Sequence, residues 1–501
     1  MGSKIIRSSL LLILITIISK VLGLLREVIM ANYLGTGSVS DAYVLGTTLS
    51  QVVITGLAGS FFKTYLPTAT KERIKSDLDY NNFTAQLLMV GTGIFLMISL
   101  MLFCTAGHTI RLLSSGASEE VVSMAIRVCR LTAFPSALLF AIYIFQGYLH
   151  TQERFSSNIV YPVVMNLSII AGLVIGKGDI TALSNGYSAS IILSAVGLWI
   201  FSRCNGFKRY NIKGALKNDA VSKVFLLTLP LFFGGIVSEL NEIIDRTFSA
   251  YYDTGTLTAL RYGKLLEIFM ASAIGIAIGQ AVYPKIATLK ENGKIQELTN
   301  LISGILTIFC IISIPLLIGI ILVGNDFVKV VFMRGAFNEK SASNTSIVFV
   351  LYSFSILPVC FNEVLSRVFF AYDDTKRPVL FSVIAMGINI ILNTVVVFVF
   401  KFDFYALAVT TSVSESIMTV FYYLCTKKTL HLKVAFHKKI VAASIFCSCL
   451  MAAGIRIVLS LMPDNYVIHV MGSLIVGVLI YSILMFLMNR REITAFVKRG
   501  K

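Results

Sequence analysis

Residues 8–31 read SSLLLILITIISKVLGLLREVIMA, a run long enough to cross a bilayer as one helix that nevertheless carries Lys20, Arg26 and Glu27. A cation at the centre of a lipid-facing helix costs about 2.5–3.5 kcal/mol on insertion scales, so charges at this depth face protein or water. The run therefore reads as one wall of a polar path, and the rest of the chain must supply the others. Of 501 residues, 56% are hydrophobic and 14% charged, and the mean hydropathy is +0.82. Roughly 280 apolar residues suffice for about fourteen spans of about 20 residues, with little left over. The expected fold class is an all-α polytopic membrane protein, and a large soluble catalytic domain is excluded.

Apolar runs punctuated by charge place thirteen more spans near 40–66, 83–107, 120–148, 158–176, 180–202, 224–252, 256–283, 299–323, 345–371, 379–400, 404–426, 437–461 and 465–489. With the N-terminus in the cytoplasm, the inner segments hold 28 Lys and Arg. The outer loops hold six, Arg111, Lys177, Lys329, Arg334, Lys340 and Lys401. This asymmetry follows the positive-inside rule and puts both termini inside. The formal charge of +17 is then mostly orientation, not a nucleic-acid footprint. Lys4 and Arg7 precede the first run as in a secretory signal, but no small-residue cleavage pattern follows, so it reads as a retained helix. The eight cysteines, Cys447 and Cys449 among them, lack CxxC spacing and read as small buried hydrophobes, and five scattered histidines form no metal set.

The two halves of the chain echo each other, as transporter folds do. Ala31, Gly35 and Tyr43 lead into the second span, and Ala250, Gly255 and Tyr262 into the eighth, with the same Ala-to-Tyr spacing. YLPTATKE (65–72) and YPKIATLKE (283–291) then close both spans with a proline ahead of a basic turn. Tyr148 and Thr151 match Tyr372 and Thr375 at a similar offset. The expected organisation is an N-terminal lobe of helices 1–6 with a basic linker (1–215), a C-terminal lobe of helices 7–12 (216–428), and a C-terminal helix pair with a basic tail (429–501).

Nine cations fall inside the spans: Lys20, Arg26, Arg127, Arg130, Arg246, Arg261, Lys264, Arg367 and Arg456. Arg127 and Arg456 lie near span ends, where snorkelling accounts for them. Lys20 and Arg26 on helix 1, with Arg261 and Lys264 on helix 8, form the candidate substrate-binding set. Glu27, Asp41 and Glu267 are its supporting acids, and Glu239, Glu242 and Asp245 are further carboxylates nearby in sequence. Structural pairing is the alternative role for each, and Lys264 and Glu267 have i,i+3 spacing. A cationic cavity suits phosphate or pyrophosphate, which accept charge-assisted hydrogen bonds, and repels organic cations. Asn389 and Asn393 share a face of helix 11, and with Thr410 and Asp245 they offer oxygen ligands for a sodium ion, the one candidate coupling ion. Hydrogen bonding between helices is the other reading of these residues. No cofactor is expected. With no Ser-His-Asp set, nucleophile motif or GxxxxGK[ST] phosphate loop, the chain reads as a transporter and not an enzyme.

These residues carry a family resemblance. SKVLGLLREVIMANYLGTGSVSDAY (19–43) resembles the opening signature of the MurJ (MviN) lipid II flippases of the multidrug/oligosaccharidyl-lipid/polysaccharide (MOP) exporter superfamily. VFMRGAF (331–337) resembles that family's loop between helices 9 and 10, and FFAYDDTKRPV (369–379) its stretch between helices 10 and 11. NEIIDRTFSAYYDTGTLTALRYGKLLE (241–267) is similar to its helix 7 to helix 8 hairpin. The likeness covers about residues 5–430, and the last two helices match by count only.

The resemblance implies a MATE-like fold, two pseudo-symmetric six-helix lobes around a central cationic cavity opened alternately to each membrane face. It also implies a substrate, the undecaprenyl-pyrophosphate-linked peptidoglycan precursor lipid II, turned from the inner to the outer leaflet of the bacterial cytoplasmic membrane in cell-wall biogenesis. The last two helices would guide its lipid tail, and cell-wall synthesis proteins are candidate partners. Arg26 matches a family arginine, Lys20 and Lys264 stand where the family has arginine, and Asp41 and Glu267 match acidic positions. ITGLAGSF (54–61) departs from the family, which has an Arg pair and a Glu on helix 2. Another undecaprenyl-linked polysaccharide repeat is therefore the alternative substrate. A drug or cation antiporter and a non-transporting scaffold are the remaining alternatives; the first calls for an acidic cavity and the second makes no use of intramembrane cations.

Overall fold

A computed structural model describes residues 2–114, 116–208 and 210–499, with side chains described except at 2–17, 230, 232–239, 276–277, 280 and 489–499. The side chains of Lys4, Arg7, Glu239 and the basic tail from Arg490 thus lie outside the described residues. Among the described residues the chain is helical with no strand. Its helical stretches are α1 (Gly2–Leu34), α2 (Ser38–Lys75), α3 (Asp77–Leu113), α4 (Glu119–His150) and α5 (Phe155–Ile175), α6 (Ile180–Cys204) and α7 (Asp219–Ser249). There follow α8 (256–291), α9 (Ile295–Phe332), α10 (339–371), α11 (Lys376–Val399), α12 (Ala406–Lys428), α13 (Lys438–Leu461) and α14 (Tyr466–Arg499).

Among the described residues nine helices are long and apolar enough to cross a membrane, or ten if Glu339–Ser353 and Ile356–Ala371, bent by 43°, count as one span. Helix α12 is not among them, because Glu415 and a run of hydroxyl side chains lower its apolarity, and α1, α7 and α8 include residues whose side chains lie outside the described ones. Local chemistry sets the ends. Side chains of Ser76, Ser118, Asp179, Asn218 and Asn338 accept the first free N–H groups of α3, α4, α6, α7 and α10. Gly35, at φ +59°, ends α1 in the left-handed region that favours glycine. On α3, Met97, Leu100 and Met101 are 64, 50 and 68% exposed, an apolar stripe suited to lipid and not to water.

By packing, the chain forms two units, residues 1–258 with 334–337, and 259–333 with 338–501. In the first, stacked Tyr80 and Tyr148 (ring centroids 4.6 Å apart) fix α3 against α4, and Tyr148 Oη donates to Asn81 Oδ1 at 2.8 Å. Helices α5 and α6 cross at glycines: a Cβ on Gly172 would lie 2.7 Å from the Ala182 carbonyl oxygen, and one on Gly186 2.6 Å from that of Ser168. Thr64 on α2 and Thr228 on α7 share a 2.7 Å hydroxyl hydrogen bond, which ties α7 to this unit. The RGAF loop belongs to it too, because Ala336 N–H donates to Asn32 O at the end of α1 at 2.8 Å.

In the second unit α9 is the spine. Helices α13 and α14 dock on it through Tyr481, whose hydroxyl donates to Ile311 O and hydrogen-bonds Ser444, each at 2.7 Å, and through His469 and Asp326, 2.9 Å apart. The two units share one device. Both α2 and α8 contain a π-helical segment, 49–54 and 272–276, followed by an internal proline, Pro67 and Pro284. This places the helix irregularities in the spans that the sequence repeat aligns.

Candidate functional site

In the first unit, α1 presents Lys20 at an exposed position and Arg26 at one 17% exposed. Arg26 Nη2 lies 2.5 Å from Glu27 Oε1, and the Glu27 side chain is 1% exposed. A carboxylate at that depth needs a cation, since an unpaired buried charge costs several kcal/mol. Arg246 on α7 pairs with Glu242 one turn earlier and donates to Thr48 Oγ1 on α2 at 2.7 Å. Arg127 is exposed, as is Arg130, which stands 5.8 Å from the centre of the Phe103 ring.

Asp41 has a different role. Its carboxylate accepts from Gly255 N–H at 2.5 Å, Thr258 N–H at 2.9 Å and Thr258 Oγ1 at 2.5 Å, while the residue is 5% exposed. It therefore caps the N-terminus of α8, where the helix dipole and free N–H groups favour an anion. Asp245 also belongs to this unit, where its carboxylate accepts from Asn241 Nδ2 at 3.5 Å.

The second unit holds the other half of the predicted set. Arg261 stands 5.7 Å from the centre of the Tyr262 ring. Lys264 Nζ lies 2.7 Å from Glu267 Oε2 and 5.2 Å from the centre of the Tyr352 ring, which gives the ammonium a carboxylate and an aromatic face. Glu267 is 1% exposed and accepts Ser355 Oγ at 3.0 Å. Arg367 pairs with Glu363 at 2.6 Å, and Arg456 is exposed. Glu363 and Glu415, both on helices of this unit, are among the acids that the sequence left without a role. Glu415 was legible as a carboxylate inside the span SVSESIMTV (412–420), and the structure joins it to Asn362 Nδ2 at 3.0 Å.

Asn389, Asn393 and Thr410 do come together. Asn393 Nδ2 donates to Asn389 Oδ1 at 3.0 Å, Thr410 Oγ1 donates to Asn393 Oδ1, and all three residues are buried. They form an interhelical ladder of neutral oxygens between α11 and α12. A sodium ion there would share oxygens that already accept hydrogen bonds, and it would find in these three residues no negative charge.

Comparisons with known proteins agree in family and fold. A family model described as lipid II flippase MurJ matches residues 30–477. Proteins described as probable lipid II flippase MurJ from Vibrio cholerae and Thermotoga maritima are each 24% identical to this chain. The first match covers 87% of this chain and 85% of the relative, the second 97% of each. A solved lipid II flippase MurJ in an inward closed conformation superposes with TM-score 0.83 at 22% identity, covering 97% of this chain and 100% of its own. An inward-facing multidrug resistance MATE family transporter of the MOP superfamily gives 0.69 at 12% identity, over 82% of this chain and 94% of its own. At these identities the two structures establish a shared fold.

Proposed function

We infer, from the premise that this chain belongs to the lipid II flippase MurJ family, that it carries lipid II from the inner to the outer leaflet of the bacterial cytoplasmic membrane by alternating access. The observation that carries this reading is the family match over nearly the whole chain, 30–477, with relatives covered to similar extent. The intramembrane cations supply the chemistry. Lys20, Arg26, Arg261 and Lys264 contact the pyrophosphate during the cycle, and the undecaprenyl tail stays in lipid. Lysine in place of arginine gives a point charge instead of a bidentate fork, so phosphate is held with less geometric selection. Moving one net charge through 100 mV is worth about 2.3 kcal/mol, enough to bias such a cycle. Sodium is the proposed coupling ion, for which Asn389, Asn393 and Thr410 offer neutral oxygens and Asp245 a carboxylate.

The test is exposure of lipid II at the outer leaflet in cells depleted of their own lipid II flippase and supplied with this protein. Restored exposure is expected. The double variant Arg26→Ala with Glu27→Gln, which leaves no buried carboxylate alone, should lose it by tenfold or more at equal protein level, an effect on the order of the 1.4 kcal/mol of one charge-assisted contact. Exposure that falls when sodium is replaced by potassium, and no longer responds in Asn393→Ala, supports the ion. A well-inserted protein that restores nothing overturns lipid II as substrate in favour of another undecaprenyl-linked repeat.

A further inference from the structure

Within the second unit the buried charges are not all matched one to one. Lys264 on α8 has Glu267 in direct contact, and both oxygens of Glu267 are engaged, one by the ammonium and one by Ser355 on α10. A second carboxylate, Glu415 on α12, is held by Asn362, two turns along α10 from the Ser355 that holds Glu267, and the charges of Lys264 and Glu267 act on it. Glu415 is held by a neutral amide, Nδ2 of Asn362 at 3.0 Å, and Thr419 Oγ1 lies 2.8 Å from the oxygen of that amide. Helix α10 thus contributes one hydrogen-bonding residue to each acid, Ser355 to Glu267 and Asn362 to Glu415.

The remaining groups around Glu415 are few. Beside Asn362, α10 carries Cys360 and the paired Glu363 and Arg367. Its own helix adds Tyr422, which interacts electrostatically with both Glu415 and Glu363. Helix α11, which also packs on α12, offers amides and hydroxyls but no charged side chain between 378 and 399.

An anionic group that pairs with Lys264 enters a space already holding two carboxylates. Two carboxylates already offset the charge of Lys264, so an added anion there meets repulsion in a low dielectric, and a proton on one of the carboxylates relieves this. Glu267 is the less suitable acceptor, because its oxygens are spent on Lys264 and Ser355. Glu415 keeps its partner in either state, since the Asn362 amide can donate to a carboxylate or to the carbonyl oxygen of a carboxylic acid.

We propose that Glu415 is a positioning residue for head-group binding: it takes up one proton from water when a phosphate pairs with Lys264, and releases it when the phosphate leaves. This rests on the reading of Lys264 as a phosphate contact. The linkage has a definite sign. A bound state that holds one more proton than the free state binds most tightly at low pH, and affinity falls as pH rises.

The experiment is binding of lipid II to the full-length protein in nanodiscs between pH 6 and 8, with proton uptake read by an indicator dye in weak buffer. Lipid II suits it because a doubly esterified pyrophosphate has no group titrating near neutrality. The wild-type protein should bind about fivefold or more weakly at pH 8 than at pH 6, with measurable uptake. Glu415→Gln, which preserves the Asn362 contact, should bind at both pH values as the wild type does at pH 6, without uptake. Glu415→Asp should regain the pH dependence. A Glu415→Gln protein with the wild-type pH profile and uptake, or a wild type with neither, overturns the proposal. The double variant K264Q/E267Q separates the two readings: unaltered binding there removes Lys264 as the phosphate contact, whereas lost binding with an unchanged Glu415→Gln profile refutes only the role of Glu415.

Discussion

Asp41 shows how a buried carboxylate can be held by backbone and hydroxyl donors. An acid next to an intramembrane span reads as a partner for cavity cations, but its carboxylate receives three hydrogen bonds from Gly255 and Thr258 at the start of α8. Replacing Asp41 by Ala should destabilise the protein by about 2–4 kcal/mol, the loss of several charge-assisted hydrogen bonds at a helix N-terminus. Asp41→Asn, which still offers one acceptor oxygen, should lose about half as much. Thermal unfolding in detergent checks this, and equal melting of all three proteins would show that the cap contributes nothing. The pairing of Lys264 with Glu267 was legible because i,i+3 spacing puts both on one helix face. The joining of Glu415 to Asn362 was not, because those residues lie on different helices.

Small residues set how closely some of the helices approach one another. Gly172 and Gly176 on α5 have the four-residue spacing that lets helix backbones approach, and both face Ala182 on α6 within 3 Å of a notional Cβ. Gly172→Leu should therefore separate α5 from α6 and sharply reduce the yield of folded protein. Gly107→Leu should not, since nothing lies within 4 Å of a Cβ at that position. Fluorescence-detected size exclusion of the two variants makes the comparison, and a monodisperse Gly172→Leu peak of normal height would contradict it. The matched π-helical segments of α2 and α8 belong to this scale too: the sequence repeat points to the two helices and their prolines, while the extra residue per turn shows only in the backbone.

For the whole molecule, the charge bias of the sequence predicts an orientation. The 28 inner against six outer cations predict that reporters fused to either end are active only if they work in the cytoplasm. An alkaline phosphatase fusion active at either terminus would refute that topology. Membrane class, the order of the apolar runs and membership of the family were all determined by the sequence alone, because hydropathy, charge bias and motif order are properties of the chain read in one dimension. Tertiary structure alone decided which polar group meets each buried carboxylate: Thr258 for Asp41, 217 residues apart, and Asn362 for Glu415, 53 apart. Such pairings depend on how each helix is rotated and how deep it sits against its neighbours, and that is fixed by packing between surfaces far apart in the chain.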